Sequence, residues 1–300
     1  MALLDSPVGI IGIGNMGLGM ALRLRDAGQP VRVHDIDATR PPLALAAGAT
    51  EAATPAQAAH GCQLLIVVVV DAAQTEAVLF GPEGAAAALP AGATVMLCPT
   101  IGPADVERLA LRLADAGLSC IDAPMSGGPA RAREGSMSLM VACAEPLWLR
   151  FEPLLRHLAS RLCRVGTRVG DGARTKLVNN LLAAVNLAAT AEALALAQRM
   201  GLDMARTLEV ISQSSGQSWA GVDRMTRALQ GDFTPLAHTT LLAKDSGLAM
   251  AMAEQAGVVP PLGQQAAALF QQALGAGYGS QDDARMLSLL QARFGLMPSA

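Results

Sequence analysis

Val8-Gly9-Ile10-Ile11-Gly12-Ile13-Gly14-Asn15-Met16-Gly17-Leu18-Gly19-Met20 is the stretch that decides the fold. A short apolar run enters Gly12-x-Gly14-x-x-Gly17. A helical pattern of Met20, Leu22 and Leu24 leaves it and stops near Gly28. Next comes a second short strand, Val31-Arg32-Val33-His34, closing on Asp35. Each piece has a mechanical task. Gly12 allows a tight turn, Gly14 lets a pyrophosphate approach the backbone, and Gly17 lets helix and strand pack closely. The helix start offers free N–H groups to an anion, and Asp35 is placed to accept hydrogen bonds from a ribose diol. A lone glycine motif is often only a turn. Strand, motif, helix, strand and acid in this order imply dinucleotide binding.

Outward from this unit, strands are expected at 8–13, 31–34, 64–70, 94–97 and 119–122, with helical stretches between them, notably 103–116. Such alternation predicts an α/β fold with a doubly wound parallel sheet of Rossmann type. A strand at 137–142, a helix near 146–159 and a strand at 162–165 follow. After Gly166 the pattern changes. Residues 173–200 contain neither glycine nor proline, carry few charges, and predict one long helix stopped by Gly201. The rest reads as helices. The expected organisation is a nucleotide-binding domain over 1–165 and an all-helical domain over 166–300, entered through the long helix.

Composition narrows the function classes. The chain is 52% hydrophobic and 16% charged, with a net charge of −3 and no basic run, which argues against nucleic acid as a partner. Cys62, Cys98, Cys120, Cys143 and Cys163 form no CxxC pair, and the four histidines form no metal-ligand cluster. Free thiols suggest a reducing compartment. The most apolar run, 64–70, is far shorter than the roughly twenty residues of a membrane span. A cytoplasmic protein with no membrane partner is expected. The apolar 173–200 helix predicts a homo-oligomer, dimer or tetramer, because large apolar surfaces seldom stay exposed on monomers.

Only two lysines occur, Lys176 and Lys244, against twenty arginines. A lysine ammonium can lose its proton when desolvated, whereas a guanidinium stays charged. Asn180 lies one helical turn beyond Lys176, so both share a face. A coding bias toward arginine explains the scarcity equally well.

Taken together, these segments resemble the β-hydroxyacid dehydrogenase family, which includes 3-hydroxyisobutyrate dehydrogenase and tartronate semialdehyde reductase. The cofactor signature at 9–17 is matched. So are the substrate loop Asp122-Ala123-Pro124-Met125-Ser126-Gly127-Gly128, the segment 135–140, the helix Lys176-Leu-Val-Asn-Asn180 and the pair Lys244-Asp245. Segments 216–219, 231–235 and 277–283 resemble its L-threonate dehydrogenase branch.

The resemblance implies an NAD-dependent enzyme acting on a small hydroxy acid, a four-carbon sugar acid such as L-threonate being the best match. A 3-hydroxyisobutyrate dehydrogenase or a tartronate or succinic semialdehyde reductase is the alternative within the family. A non-catalytic nucleotide sensor is the alternative outside it. Implied cofactor contacts are Gly12, Gly14, Asn15, Met16, Gly17, Asp35, Val70, Asp71, Thr100 and Lys244. Lys176 is implied as general acid/base, with Asn180 holding substrate and lysine in register. Ser126, Gly127 and Gly128 are implied to grip the substrate carboxylate, although Ser-Gly-Gly alone reads as a turn. Trp219 is either a substrate contact or core. Two departures from the family pattern are Val69-Val70 for Leu-Pro and Cys98-Pro99-Thr100 for Asp-Ser-Thr.

Overall fold

The computed structural model describes residues 3–297 and divides into two compact units, Met1–Lys176 and Leu177–Ala300. This division lies inside the long helix, ahead of which lies the boundary expected near 165.

The first unit begins β1 (Val8–Ile11), α1 (Asn15–Asp26), β2 (Val31–His34), α2 (Pro41–Ala46), β3 (Thr50–Glu51) and α3 (Pro55–Ala59). It continues with β4 (Leu64–Val67), α4 (Ala72–Phe80), β5 (Thr94–Leu97), α5 (Pro103–Asp115) and β6 (Ser119–Asp122). Last come β7 (Met125–Ser126), α6 (Gly128–Glu134), β8 (Met137–Ala142), α7 (Glu145–Leu158) and β9 (Ala159–Gly166). The sheet runs β3-β2-β1-β4-β5-β6-β8-β7, with β9 beside β8. The strands from β3 to β6 pair in parallel, whereas β8 runs antiparallel to β6 and β7.

Period-two alternation sends side chains to both faces. Ile10, Ile66, Met96 and Ile121 join α1 and α7 in one core, and Ile11, Leu65, Val67, Val95 and Leu97 join α5 in the other. Burial on both faces is why these strands read as continuous Val/Ile/Leu runs. The chain order reverses between β1 and β4, and in open α/β sheets ligands bind at that crevice.

The first and fourth strands end earlier than the apolar runs suggest, at Ile11 and Val67 rather than at 13 and 70. Their neighbours stop at His34 and Leu97, so the ladder has no partners beyond. Val70 is 51% exposed, in the loop leading to α4.

The long helix α8 (Asp171–Arg199) starts in the first unit and continues into the second. The second unit adds α9 (Met204–Ser212), α10 (Trp219–Leu229), α11 (Thr239–Gln255), α12 (Pro261–Gly275) and α13 (Met286–Arg293). Its core is built from Leu187, Leu194, Met225, Phe270 and Leu290. One window of α8 has a mean hydropathy of 1.5, long and apolar enough to cross a membrane, and half of that window is buried within the protein's own fold.

Candidate active site

The glycine loop shows three different uses of a missing side chain. Gly12 has φ +87°, and a Cβ there would come within 2.5 Å of the Val68 carbonyl oxygen. At Gly17 a Cβ would lie 1.9 Å from the Gly12 carbonyl oxygen, so the loop and α1 meet backbone to backbone. At Gly14 nothing stands within 4 Å of that position. Its open side is the cradle a pyrophosphate needs and a side chain would fill. Gly14 also caps α1, with no side-chain cap and no acidic residue in the first turn. Helix N–H groups left in this state attract an anion. Asn15 is exposed and Met16 half-buried at the same helix start.

Asp35 stands at the end of β2. Its Oδ2 accepts from the Ile13 N–H at 2.7 Å, and its Oδ1 accepts from the Asp37 N–H at 2.9 Å. The carboxylate is thereby fixed against the glycine loop. Ile36 between the two acids is 99% exposed, an apolar side chain left in solvent. Arg32 donates to the carbonyls of Gln57 and His60. Arg40 Nε donates to Asp37 Oδ2 at 3.2 Å. Hydrogen bonds from the Thr39 hydroxyl and N–H, with Arg40 beside them, hold the Asp37 carboxyl below the usual carboxylate range.

Val70, Asp71 and Thr100 lie just past the ends of β4 and β5. Asp71 Oδ1 caps α4 by accepting the Gln74 N–H at 2.8 Å, and Gln74 Oε1 accepts the Val70 N–H at 3.1 Å. That pair shapes the loop on the far side of the crevice from Gly12.

The segment that the family resemblance assigns to the substrate leaves β6. Ser126 pairs with Ser138 across β7 and β8, and Gly127 and Gly128 follow with φ +132° and +76°. Gly127 and Gly128 both occupy positive-φ backbone that favours glycine, and α6 starts directly after Gly127. The Arg131 stem packs on Gly127, with Cδ 3.0 Å from where a Cβ would stand.

Asp122, at the head of this loop, is 1% exposed. Its Oδ2 accepts the N–H of Gly170 at 2.8 Å and of Ala173 at 3.1 Å, capping the start of α8. Burial pushes its carboxyl up to about 6, against the lowering effect of those N–H donors. Arg174 ties the same turn to α5 through Glu107 Oε1 at 2.6 Å. The loop that starts at Asp122 and the turn that carries Lys176 are therefore anchored on one carboxylate. The sequence motif contains Asp122 but does not reveal this role. Lys176 itself is buried, at 7% exposure.

In the helical unit, Asn180 donates through Nδ2 to Asp245 Oδ2 at 2.6 Å and accepts at Oδ1 from Asn179 at 3.0 Å. Both ends of its amide are thus fixed. Lys244 Nζ lies 2.8 Å from Asp245 Oδ1. Trp219 opens α10 at 55% exposure, so it is not core. Asp283 is paired with Arg224 at 2.7 Å, and burial nevertheless pushes its carboxyl up to about 6. Its neighbour Asp282 accepts from the Leu236 N–H at 2.9 Å and holds the loop before α11. Among the described residues no group of three His, Cys, Asp or Glu side chains is placed to hold a metal ion.

Comparison with known proteins places the chain in a family. Residues 7–167 match the NAD binding domain of 6-phosphogluconate dehydrogenase, and residues 170–290 match the NAD-binding domain of NADP-dependent 3-hydroxyisobutyrate dehydrogenase. The L-threonate dehydrogenase of Cupriavidus necator is 38% identical over 94% of this chain and 95% of its own length. A crystal structure of 3-hydroxyisobutyrate dehydrogenase from Salmonella typhimurium is 36% identical, with a TM-score of 0.88 over 94% of this chain and 99% of that one. Psf3, solved in complex with NADP+, is 26% identical with a TM-score of 0.88, over 94% of this chain and 99% of that one. Two family models span residues 7–167 and 170–290, relatives named as hydroxy acid dehydrogenases align over more than nine-tenths of the chain, and the protein belongs to the β-hydroxyacid dehydrogenase family of NAD(P)-binding oxidoreductases.

Proposed function

We propose that the protein oxidises L-threonate, or a similar four-carbon sugar acid, with NAD as hydride acceptor. The observation that carries this reading is the shared anchor at Asp122. It ties the Ser126-Gly127-Gly128 loop to the helix turn bearing Lys176. A substrate carboxylate held by the loop N–H groups would then lie at a fixed offset from the lysine amine, and fixed offset is what proximity catalysis needs.

The dinucleotide, when bound, supplies a nicotinamide ring that accepts hydride from the alcohol carbon. Gly12, Gly14, Asn15, Met16 and Gly17 would hold its pyrophosphate, and Asp35 its adenosine ribose. Val70, Asp71, Thr100 and Lys244 would line the remaining path. The exposed Ile36 offers the adenine an apolar surface. Lys176, entering as the neutral amine, takes the hydroxyl proton as the carbonyl forms. Asn180, fixed through Asp245, orients the substrate hydroxyl. Trp219, 55% exposed, is assigned to the substrate side.

Asp35 favours NAD, since a carboxylate repels a 2′-phosphate. Arg32 and Arg40, the nearby cations in sequence, are both engaged elsewhere. Free cysteines fit a reducing, cytoplasmic setting. The exposed positions of α8 include Val178 at 60%, Leu182 at 60% and Leu196 at 51%, which supports a homo-oligomer. A light-scattering mass of one 30.7 kDa chain at micromolar concentration would contradict it.

The second reading, a 3-hydroxyisobutyrate dehydrogenase or semialdehyde reductase, is favoured by the Salmonella structure. A panel of hydroxy acids with NAD and with NADP, followed by absorbance of the reduced cofactor, separates the readings. L-threonate with NAD is expected to give the highest kcat/KM. A higher value for 3-hydroxyisobutyrate selects the second reading. NAD binding with no turnover on any acid selects the nucleotide sensor.

A further inference from the structure

The turn after β2 is a closed chain of hydrogen bonds. Asp35 accepts the Asp37 N–H, and Asp37 Oδ1 accepts both the N–H of Thr39 at 3.0 Å and its hydroxyl at 2.6 Å. The other Asp37 oxygen takes Arg40 Nε at 3.2 Å. A second carboxylate is therefore fixed two residues beyond the ribose-binding acid, and the cation nearest to it is already paired. The Arg40 and Asp37 side chains are 43% and 46% exposed. A phosphate that draws on Arg40 has to displace this exposed ion pair, which opposes it by a modest amount. A dianionic phosphate is the stronger partner, because guanidinium grips it with charge-assisted, bidentate bonds.

We infer that Asp37 is a second determinant of cofactor choice, discriminating against the 2′-phosphate of NADP by keeping the Arg40 guanidinium paired. This rests on the proposed preference for NAD, and it adds a device distinct from direct repulsion by Asp35. The turn holds a latent phosphate-binding arginine that one acidic residue keeps occupied.

The test uses the full-length enzyme and two readouts. The first is the ratio of kcat/KM for NADP to that for NAD. The second is competitive inhibition by 2′,5′-ADP against NAD, which reports the phosphate without the chemistry. Asp37→Asn removes the charge but leaves an amide oxygen to accept the Thr39 N–H, so the turn is kept. The NADP:NAD ratio is expected to rise about two- to fivefold, with 2′,5′-ADP binding tighter by a similar factor, as release of an exposed ion pair allows. Adding Arg40→Ala is expected to cancel most of that rise. An unchanged ratio in Asp37→Asn would overturn the inference. So would a rise that survives in the double variant, since loss of negative charge alone would then explain it. Failure of the underlying reading looks different: the wild-type ratio itself would favour NADP, while the change on Asp37→Asn still reports on Arg40.

Discussion

The glycine loop at the end of β1 and the first turns of α8 solve opposite problems. In the loop, function depends on atoms that are missing. A Cβ at Gly17 would lie 1.9 Å from a carbonyl oxygen, and one at Gly14 would project into open space. In the helix and the β6 carboxylate that caps it, the proposed function depends on side chains that are present and confined. Asp122, Lys176 and Asn180 are 1%, 7% and 9% exposed. The loop has no side-chain chemistry to lose, only space. The helix has an amine whose replacement changes the chemistry without changing the shape. Substitutions in the first region should therefore act on cofactor affinity, and those in the second on turnover.

The largest expected effect is in the helix. Lys176→Arg keeps charge and approximate length but cannot accept a proton at working pH. Turnover should fall about a hundred- to ten-thousandfold, the usual contribution of a general acid–base group. Asn180→Ala should lose less, because it disturbs orientation and leaves the base. Steady-state kinetics on L-threonate rank the two, and a greater loss for Asn180→Ala would contradict the assignment.

Next is the loop. Gly17→Ala forces the Gly12 carbonyl and α1 apart, a clash of the overpacking kind that costs about 1–3 kcal/mol. If the displaced cradle carries the binding, the NAD dissociation constant should rise about tenfold to a hundredfold. Fluorescence titration with NAD checks this. An unchanged constant would mean that the cofactor does not use this loop.

The last effect is read in stability rather than in turnover or affinity, at the anchor between the proposed substrate loop and α8. Burial raises Asp122 from 3.8 to about 6. Between those values the folded chain binds the proton more tightly than the unfolded chain, so this group makes stability fall as pH rises through that window. A gap of about two pKa units is worth about 3 kcal/mol. Asp122→Asn keeps an acceptor for the Gly170 and Ala173 N–H groups and removes the ionisation. In denaturant unfolding, the variant should gain about 2–3 kcal/mol on the wild type between pH 4 and pH 7. A difference that stays constant with pH would place the Asp122 carboxyl outside this linkage.

The same contrast explains what the sequence makes legible. Each glycine in the cofactor loop has its own mechanical reason within about thirty residues of chain, so the loop, Asp35 and the order of strands can be read directly. Strands 31–34, 94–97, 119–122 and 137–142 fall where the apolar runs place them. The overrun past Ile11 and Val67 came from reading hydrophobicity alone, because strand length is set by neighbours distant in sequence. Long-range polar contacts leave no local signal. Asp122 reaches Gly170 across 48 positions, and Asn180 reaches Asp245 across 65. Pairing of Arg32 with the Gln57 and His60 carbonyls is equally invisible, yet it removes a cation that sequence proximity would place beside the ribose. Ile36 was missed as well. Its one signal is an apolar residue set between two acids in a solvent loop, and Trp219 shows that an aromatic in sequence does not disclose whether it is buried.

The central claim is that cofactor binding and proton transfer reside in separable regions, with Lys176 as the base. The most direct measurement mixes Lys176→Arg and Lys244→Arg separately with NAD and L-threonate, follows the first turnover by absorbance of the reduced cofactor, and titrates NAD against each variant. Lys176→Arg should keep a near-native NAD affinity and lose the first turnover. Lys244→Arg should retain most of its turnover and change affinity. The reverse pattern, with first-turnover reduction surviving in Lys176→Arg and lost in Lys244→Arg, would contradict the account.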